Sequence, residues 1–250
     1  LNWGCIPTKT LLRTAEVHKL ITRATEFGLT TENTKIDINA IIERSRKVAG
    51  KLSSGVQMLM KKNKINVFSG FAALEGNGKV VAELDEDNKI CLEAEHIILA
   101  SGARAKSLPG IEPDGEYIWT YKEAMVPKKM PQSLLIIGSG AIGMEFASFY
   151  QELGTAVTVV EYADRILPSE DKEISTFAQK AFEKRGISFR LNATVSGVSY
   201  SDKGAKCVIV PNKDDGQPIE TIVDRVILAV GIVGNTENLG CLLYTSPSPR

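Results

Sequence analysis

No stretch of this sequence stays apolar for the ~18 residues that a membrane helix needs, so no bilayer-spanning helix is expected. No charge of one sign dominates either. Thirty Lys and Arg residues balance 30 Asp and Glu residues, which leaves no global pull toward nucleic acid or an anionic membrane. Histidine is scarce: His18 and His96 are the only two, and neither has the company of a metal site. The four cysteines, Cys5, Cys91, Cys207 and Cys241, lie far apart and form no CxxC pair. That argues against zinc and against the disulfide frame of a small secreted domain. What remains is ordinary globular usage, 43% hydrophobic and 24% charged, enough over 250 residues for one large domain or two modest ones.

The chain opens at Leu1 with no basic-then-apolar segment. It closes on Cys241-Leu-Leu-Tyr-Thr-Ser-Pro-Ser-Pro-Arg250, whose composition breaks abruptly from what precedes Gly240. Both ends read as cuts. The sequence is expected to be an internal piece of a longer protein, with 241–250 a non-native tail similar to translated adapter sequence.

The pattern between the ends is mixed. Residues 7–27 read as a helix, with Pro7 suited to its first turn and Gly28 to its stop. Residues 37–62 read as a second helix, with Asp37 as N-cap and a solvated basic face. Short β-rich runs follow at 66–71, 79–84, 89–92 and 96–100, punctuated by Gly76-Asn77-Gly78. Prolines and glycines over 109–115, then two more prolines in 127–132, mark a domain boundary. Beyond it the order is strand 133–137, helix 141–153, strand 156–161, helix 171–185 and strand 187–190. Such alternation predicts a parallel sheet covered by helices. Runs at 205–210, 219–223 and 225–230 are expected to form an antiparallel addition and a return strand.

The most specific motif is Leu134-Leu-Ile-Ile-Gly138-Ser139-Gly140-Ala141-Ile142-Gly143. An apolar strand enters a GxGxxG turn and a helix leaves it. Gly138 permits the tight turn, Gly140 lets the backbone approach a pyrophosphate, and Gly143 lets helix and strand pack closely. The helix N-terminus then offers free N–H groups to the phosphates. Glu161, at the end of the next strand, suits the ribose hydroxyls of NAD and repels a 2′-phosphate. Arg165 nearby is the residue that could instead serve NADP.

The second motif is Leu1-Asn-Trp-Gly-Cys5-Ile-Pro-Thr-Lys9. Cys5 stands just before the first turn of a helix, where dipole and open N–H groups favour a thiolate. The string resembles the redox-active segment of the flavin-dependent pyridine nucleotide–disulfide oxidoreductases, whose pattern is Cys-Leu-Asn-x-Gly-Cys-Ile-Pro-[Ser/Thr]-Lys. The pattern's first cysteine would immediately precede Leu1. The resemblance runs from Leu1 to about Gly240. Gly70-Phe71-Ala72 is similar to a segment that meets FAD. Ile98–Gly110, with Ala100, Ser101 and Gly102, is similar to a second dinucleotide-associated turn. Gly138–Glu161 and Ala229-Val-Gly231 then follow in the family's order.

The resemblance implies an α/β flavoprotein with two Rossmann-like dinucleotide-binding domains, here incomplete: 1–126 for FAD and 127–240 for NAD. It implies FAD contacts at Lys9, Ala72 and Ala100–Gly102. It adds Val195 and Gly231 to the dinucleotide contacts of Gly138–Gly143 and Glu161. Cys5 would lie against the flavin, and Lys9 would sit near flavin N5, paired with Glu145. The IPTK variant, Glu161, Arg165-Ile-Leu-Pro168 and Val230-Gly-Ile-Val-Gly234-Asn resemble the bacterial branch that oxidises dihydrolipoamide with NAD. The implied partners are the lipoyl domains of 2-oxoacid dehydrogenase complexes and a second subunit, with no nucleic acid, membrane or metal. The implied location is the cytoplasm of a bacterium, or the mitochondrial matrix of a eukaryote. Alternatives are a glutathione- or mercuric-reductase-like enzyme, or an NAD-binding module without turnover.

Overall fold

The computed structural model describes residues 1–212 and 216–241, so all but the first residue of the expected tail lies outside the described residues. Chain order gives α1 (Cys5–Thr22), α2 (Ile38–Lys62), β1 (Phe71–Gly76), β2 (Lys79–Asp85), β3 (Asn88–Glu93) and β4 (Ala103–Ala105). Next come β5 (Ile118–Trp119), α3 (Tyr121–Met125), β6 (Ser133–Ile137), α4 (Ala141–Glu152), β7 (Ala156–Val160), α5 (Lys172–Lys184) and β8 (Ser188–Arg190). The last elements are β9 (Ala193–Ser201), β10 (Gly204–Pro211), β11 (Ile219–Val223), β12 (Arg225–Leu228) and β13 (Ile232–Gly234).

The chain divides into two compact units interleaved in sequence: Leu1–Ser54 with Ala105–Gly231, and Gly55–Arg104 with the residues from Ile232 on. The first unit is built on a five-stranded sheet ordered β5-β12-β6-β7-β8. Every neighbouring pair in it is parallel. β6 is the spine, because Leu134, Leu135 and Ile136 are all fully buried. Its alternation feeds two cores. Leu134 and Ile136 pack with Phe146, Phe149 and Tyr150 of α4 and with Leu11 of α1. Leu135 and Ile137 pack with Val195, Ala205 and Cys207 from the antiparallel sheet β11-β10-β9. A strand covered on both faces must be apolar at every position, which is what this run supplies. Each such side chain contributes about 1.5–3 kcal/mol by burial.

α1 is laid on α4 by specific contacts. Leu11 and Ala15 are buried in the shared core. Lys19 Nζ lies 2.7 Å from Glu152 Oε1, and His18 Nδ1 lies 2.8 Å from the Glu152 carbonyl oxygen. The buried Tyr150 hydroxyl donates to the Ala124 carbonyl at 2.7 Å, tying α4 to α3. These contacts carry the N-terminus of α1 to a fixed place beside the dinucleotide-type helix.

The second unit contains the antiparallel sheet β1-β2-β3. The expected turn closes its first hairpin, with φ of 85° at Gly76, 49° at Asn77 and 75° at Gly78. Positive φ at two successive central residues matches the right-handed twist of the strands. Leu74 N–H also donates to the Leu239 carbonyl at 2.8 Å.

Several expectations change: the helix expected over 7–27 runs from Cys5 to Thr22, and the short elements β4, β5, α3 and β13 are additions. Residues 66–70 and 96–100 form no strand, although both runs read as β-rich. They are the sort of segment that a parallel sheet would bury, and no described strand pairs with them. β9 was not expected at all. It forms because its length pairs with β10 from Ala193 to Ser201, with a bulge opposite Val208 and Ile209.

Candidate functional site

The glycine turn has the geometry that its spacing predicts. Gly138 sits at φ 100°, and a Cβ there would lie 2.4 Å from the Ala229 carbonyl oxygen. A Cβ on Gly143 would lie 2.1 Å from the Gly138 carbonyl oxygen and 3.3 Å from the Ala229 Cβ. The extension of β12 through Ala229 therefore packs directly on the turn. Gly140 differs from both: nothing lies within 4 Å of its would-be Cβ. It is the N-cap of α4, with no side-chain cap and no acidic residue in the first turn. Ala141 and Ile142 are exposed beside it. An open, uncapped N-terminus on a twelve-residue helix is a fit for a dinucleotide pyrophosphate.

Glu161 is held against this turn. Its Oε2 accepts from Ser139 N–H at 2.8 Å and from Ser139 Oγ at 2.7 Å. Its Oε1 accepts from Ala163 N–H at 2.8 Å. Arg165 is occupied elsewhere, with Nη1 3.1 Å from Asp164 Oδ1 and Nη2 donating to the Pro168 carbonyl at 3.3 Å. The carboxylate thus faces the glycine turn while the guanidinium binds its own loop.

The second group of predicted residues also assembles. Cys5 is exposed as the first residue of α1, whose N-cap, Gly4, makes no side-chain cap. Lys9, one turn on, forms an ion pair with Glu145 of α4, 136 residues away. The Lys9 ammonium is held above its ordinary range, first by the hydrogen bond to Glu145, with burial pulling the other way and the charge of Glu145 adding to the rise. Glu145 is about 29% exposed, so this acid is not a freely solvated helix residue.

The remaining predicted residues fall in three places. Gly231 sits at φ 111°, and its carbonyl accepts from Lys106 N–H at 3.0 Å. Val195 is buried in the core under β6, opposite Ile209. Ala72, Ala100, Ser101 and Gly102 belong to the second unit and are exposed. Gly70, beside Ala72, has a packing reason of its own, since a Cβ there would lie 2.0 Å from the Glu83 carbonyl oxygen.

Sequence reasoning missed the supports of the Gly102 turn. Asn235 Nδ2 donates to the Ser101 carbonyl at 3.1 Å and Asn235 N–H to the Gly102 carbonyl at 3.0 Å. Arg104 clasps Glu237, drawing that carboxyl down to about 2 chiefly through the hydrogen bond. The asparagine directly after Gly234 was the available signal. Among the described residues, no cluster of His, Cys, Asp and Glu could hold a metal, and no helix is long and apolar enough to cross a membrane.

The cysteines separate sharply by environment. Cys5 and Cys91 are exposed, whereas Cys207 is buried and its thiol is pushed up to about 11 by burial. Iodoacetamide at pH 8 is expected to label Cys5 and Cys91 on the folded chain and to reach Cys207 only in denaturant. Peptide mass mapping checks this. Labelling of Cys207 at the rate of Cys5 would contradict the packing of the β10 core.

Comparison with known proteins adds to this geometry. The family model described as pyridine nucleotide-disulphide oxidoreductase matches residues 1–245. Dihydrolipoyl dehydrogenase of Zymomonas mobilis is 47% identical over 240 residues, covering 96% of this chain and 51% of that protein. Dihydrolipoyl dehydrogenase of Bacillus subtilis is 36% identical over 249 residues, covering 96% and 52%. Among solved structures, LpdA of Mycobacterium tuberculosis aligns with TM-score 0.88 at 27% identity, covering 100% of this chain and 53% of that one. The HOCl-induced flavoprotein disulfide reductase RclA of Escherichia coli aligns with TM-score 0.76 at 25% identity, covering 97% and 50%. The chain spans about half the length of the curated relatives it matches.

Proposed function

The chain belongs to the pyridine nucleotide–disulphide oxidoreductases, and from that premise we propose that the whole protein oxidises dihydrolipoamide and reduces NAD. The observation that carries the proposal is the meeting of α1 and α4: Cys5 opens one helix, and Lys9, one turn later, is bonded to Glu145 on the helix that follows the glycine turn. A simple nucleotide-binding module has no use for that pairing. The overall reaction takes two electrons and two protons from a dithiol, delivers hydride to NAD and releases one proton. FAD, a cofactor of this family, supplies when bound the two-electron carrier between dithiol and nicotinamide.

The chain's own residues have distinct tasks in this reading. Gly140 and the first N–H groups of α4 bind the NAD pyrophosphate. Glu161 accepts from the ribose and excludes a 2′-phosphate. Cys5 is the thiol presented to the flavin, and Lys9 places a positive charge there, held in position by Glu145. Ala72, Ala100, Ser101, Gly102 and Gly231 belong to the flavin and dinucleotide contacts. The partners are lipoyl domains of 2-oxoacid dehydrogenase complexes and a second subunit, in a bacterial cytoplasm or a mitochondrial matrix. For the 250-residue chain alone the reading is narrower, NAD binding by the first unit without turnover.

The test is in two steps. Titration of the chain with NAD is expected to show binding that Glu161→Ala weakens by roughly ten- to a hundredfold, the scale of one charge-assisted hydrogen bond. An unchanged affinity would show that Glu161 does not read the ribose. The whole protein, assayed with dihydrolipoamide and NAD against glutathione disulfide or mercuric ion with NADPH, is expected to favour the first pair. Preference for a NADPH-driven reaction would overturn the substrate assignment.

A further inference from the structure

Ser139 occupies the variable position inside the glycine turn, where the motif itself asks for nothing. Yet it is buried to 0% exposure. Its Oγ and N–H both donate to the same oxygen of Glu161, at 2.7 and 2.8 Å. That fills the two lone-pair sites of Oε2. Oε1 takes one N–H, from Ala163 at 2.8 Å, and keeps one site open. A carboxylate offers about four such sites, so three are spent within the protein and one remains for a ligand hydroxyl.

Ser139 is pinned from its other side as well. Its carbonyl accepts from Leu167 N–H at 3.0 Å. Leu167 sits in the left-handed region at φ 47°, a strained setting for a branched side chain. Its own carbonyl accepts from the Oγ of the fully buried Ser175 at 3.1 Å. The Ile166–Leu167 turn therefore backs the Ser139 peptide, from which the hydroxyl reaches Glu161.

We infer that Ser139 is a positioning residue for dinucleotide choice: its hydroxyl fixes the Glu161 carboxylate so that one acceptor site faces the ribose. This rests on the NAD reading of the same site and deepens it. In it, discrimination between NAD and NADP belongs to the Ser139–Glu161 pair and not to Glu161 alone. Without the hydroxyl, the carboxylate keeps its charge and its two backbone N–H bonds, from Ser139 and Ala163, but loses the third of its anchors. Its aim at the ribose loosens, which weakens the directed hydrogen bond to NAD and lets the carboxylate give way more readily before a 2′-phosphate.

The experiment is a double-mutant cycle on the chain, with dissociation constants for NAD and NADP measured for wild type, Ser139→Ala, Glu161→Ala and the double variant. Ser139→Ala is expected to weaken NAD by about three- to tenfold, part of one charged hydrogen bond. NADP affinity is expected to stay within about twofold or to improve, so the preference ratio falls. In the Glu161→Ala background the same change is expected to cost less than about twofold. Equal losses for both dinucleotides, or additive effects in the cycle, would mean that the hydroxyl acts through packing and would overturn the inference. Should Ser139→Ala unfold, Ser139→Cys keeps a weak donor and is expected to give an intermediate ratio; a wild-type ratio overturns the inference. Wild-type chain that binds no NAD would overturn the dinucleotide reading along with this one, whereas binding with an unchanged ratio removes only this one.

Discussion

Replacing Gly143 with alanine is expected to abolish measurable NAD binding and to cost the fold on the order of 3 kcal/mol. The added Cβ would stand 2.1 Å from the Gly138 carbonyl oxygen and 3.2 Å from its carbon. Both belong to backbone, so no side chain can step aside. α4 would have to slide off the turn. That movement would draw Met144, Phe146, Phe149 and Tyr150 out of a core in which each is buried. Gly140→Ala is the informative partner, because its Cβ would enter open space. It is expected to cost no more than about 1 kcal/mol, the scale of a change at a helix N-cap. It should still weaken NAD by about tenfold, since the methyl occupies the approach of the pyrophosphate. Urea denaturation and NAD titration of both variants check the pair. A Gly143→Ala chain with ordinary stability and affinity would show that helix and strand do not need this contact.

The contrast between those two glycines was readable from the motif, because each glycine's role is set by local backbone and by the strand and helix on either side. The same holds for β6. Four apolar residues ending in a glycine leave little choice but a strand buried on both faces. Other features were out of reach for physical reasons. β9 has the sequence Ala-Thr-Val-Ser-Gly-Val-Ser-Tyr-Ser, with a glycine at its middle and few large apolar residues, so its strand character comes from pairing with β10. The run 96–100 shows the reverse. Ile97-Ile98-Leu99-Ala100 has strong β preference, but a strand needs a neighbour, and preference alone does not make a ladder. Lys9 and Glu145 are 136 residues apart, and no periodicity links them; only the family resemblance paired them. Ser139 and Glu161 were each singled out, but their direct bond depends on side-chain direction within a buried turn, which spacing does not encode.

Amide exchange is expected to divide the chain by a factor of about a thousand or more, with β6 and β12 at the slow end and residues 66–70 and 96–100 at the fast end. β6 is hydrogen-bonded on both sides, to β12 and to β7. Leu134, Leu135, Ile136, Val226 and Ile227 are all at 0% exposure. Their amides exchange only through wide opening, and even a marginal domain with about 5 kcal/mol of stability slows that by three to four orders of magnitude. Residues 66–70 and 96–100 form no strand, and most of the apolar side chains there face outward. Ile98 is 90% exposed, Val67 67% and Leu99 53%. Apolar surface of this kind is covered in a working protein. Within the second unit, no described strand, glycine turn and helix follow one another as they do at 133–152, so a flavin pyrophosphate finds no helix N-terminus there. Saturating FAD is therefore expected to leave 96–102 unprotected and the purified chain without stoichiometric flavin. NAD, by contrast, should slow exchange around 138–144. Mass-resolved exchange at low protein concentration, with each ligand in turn, reads all three outcomes. Protection of 96–102 equal to that of β6, or a chain that holds flavin through purification, would show that the second unit is already a complete flavin-binding fold.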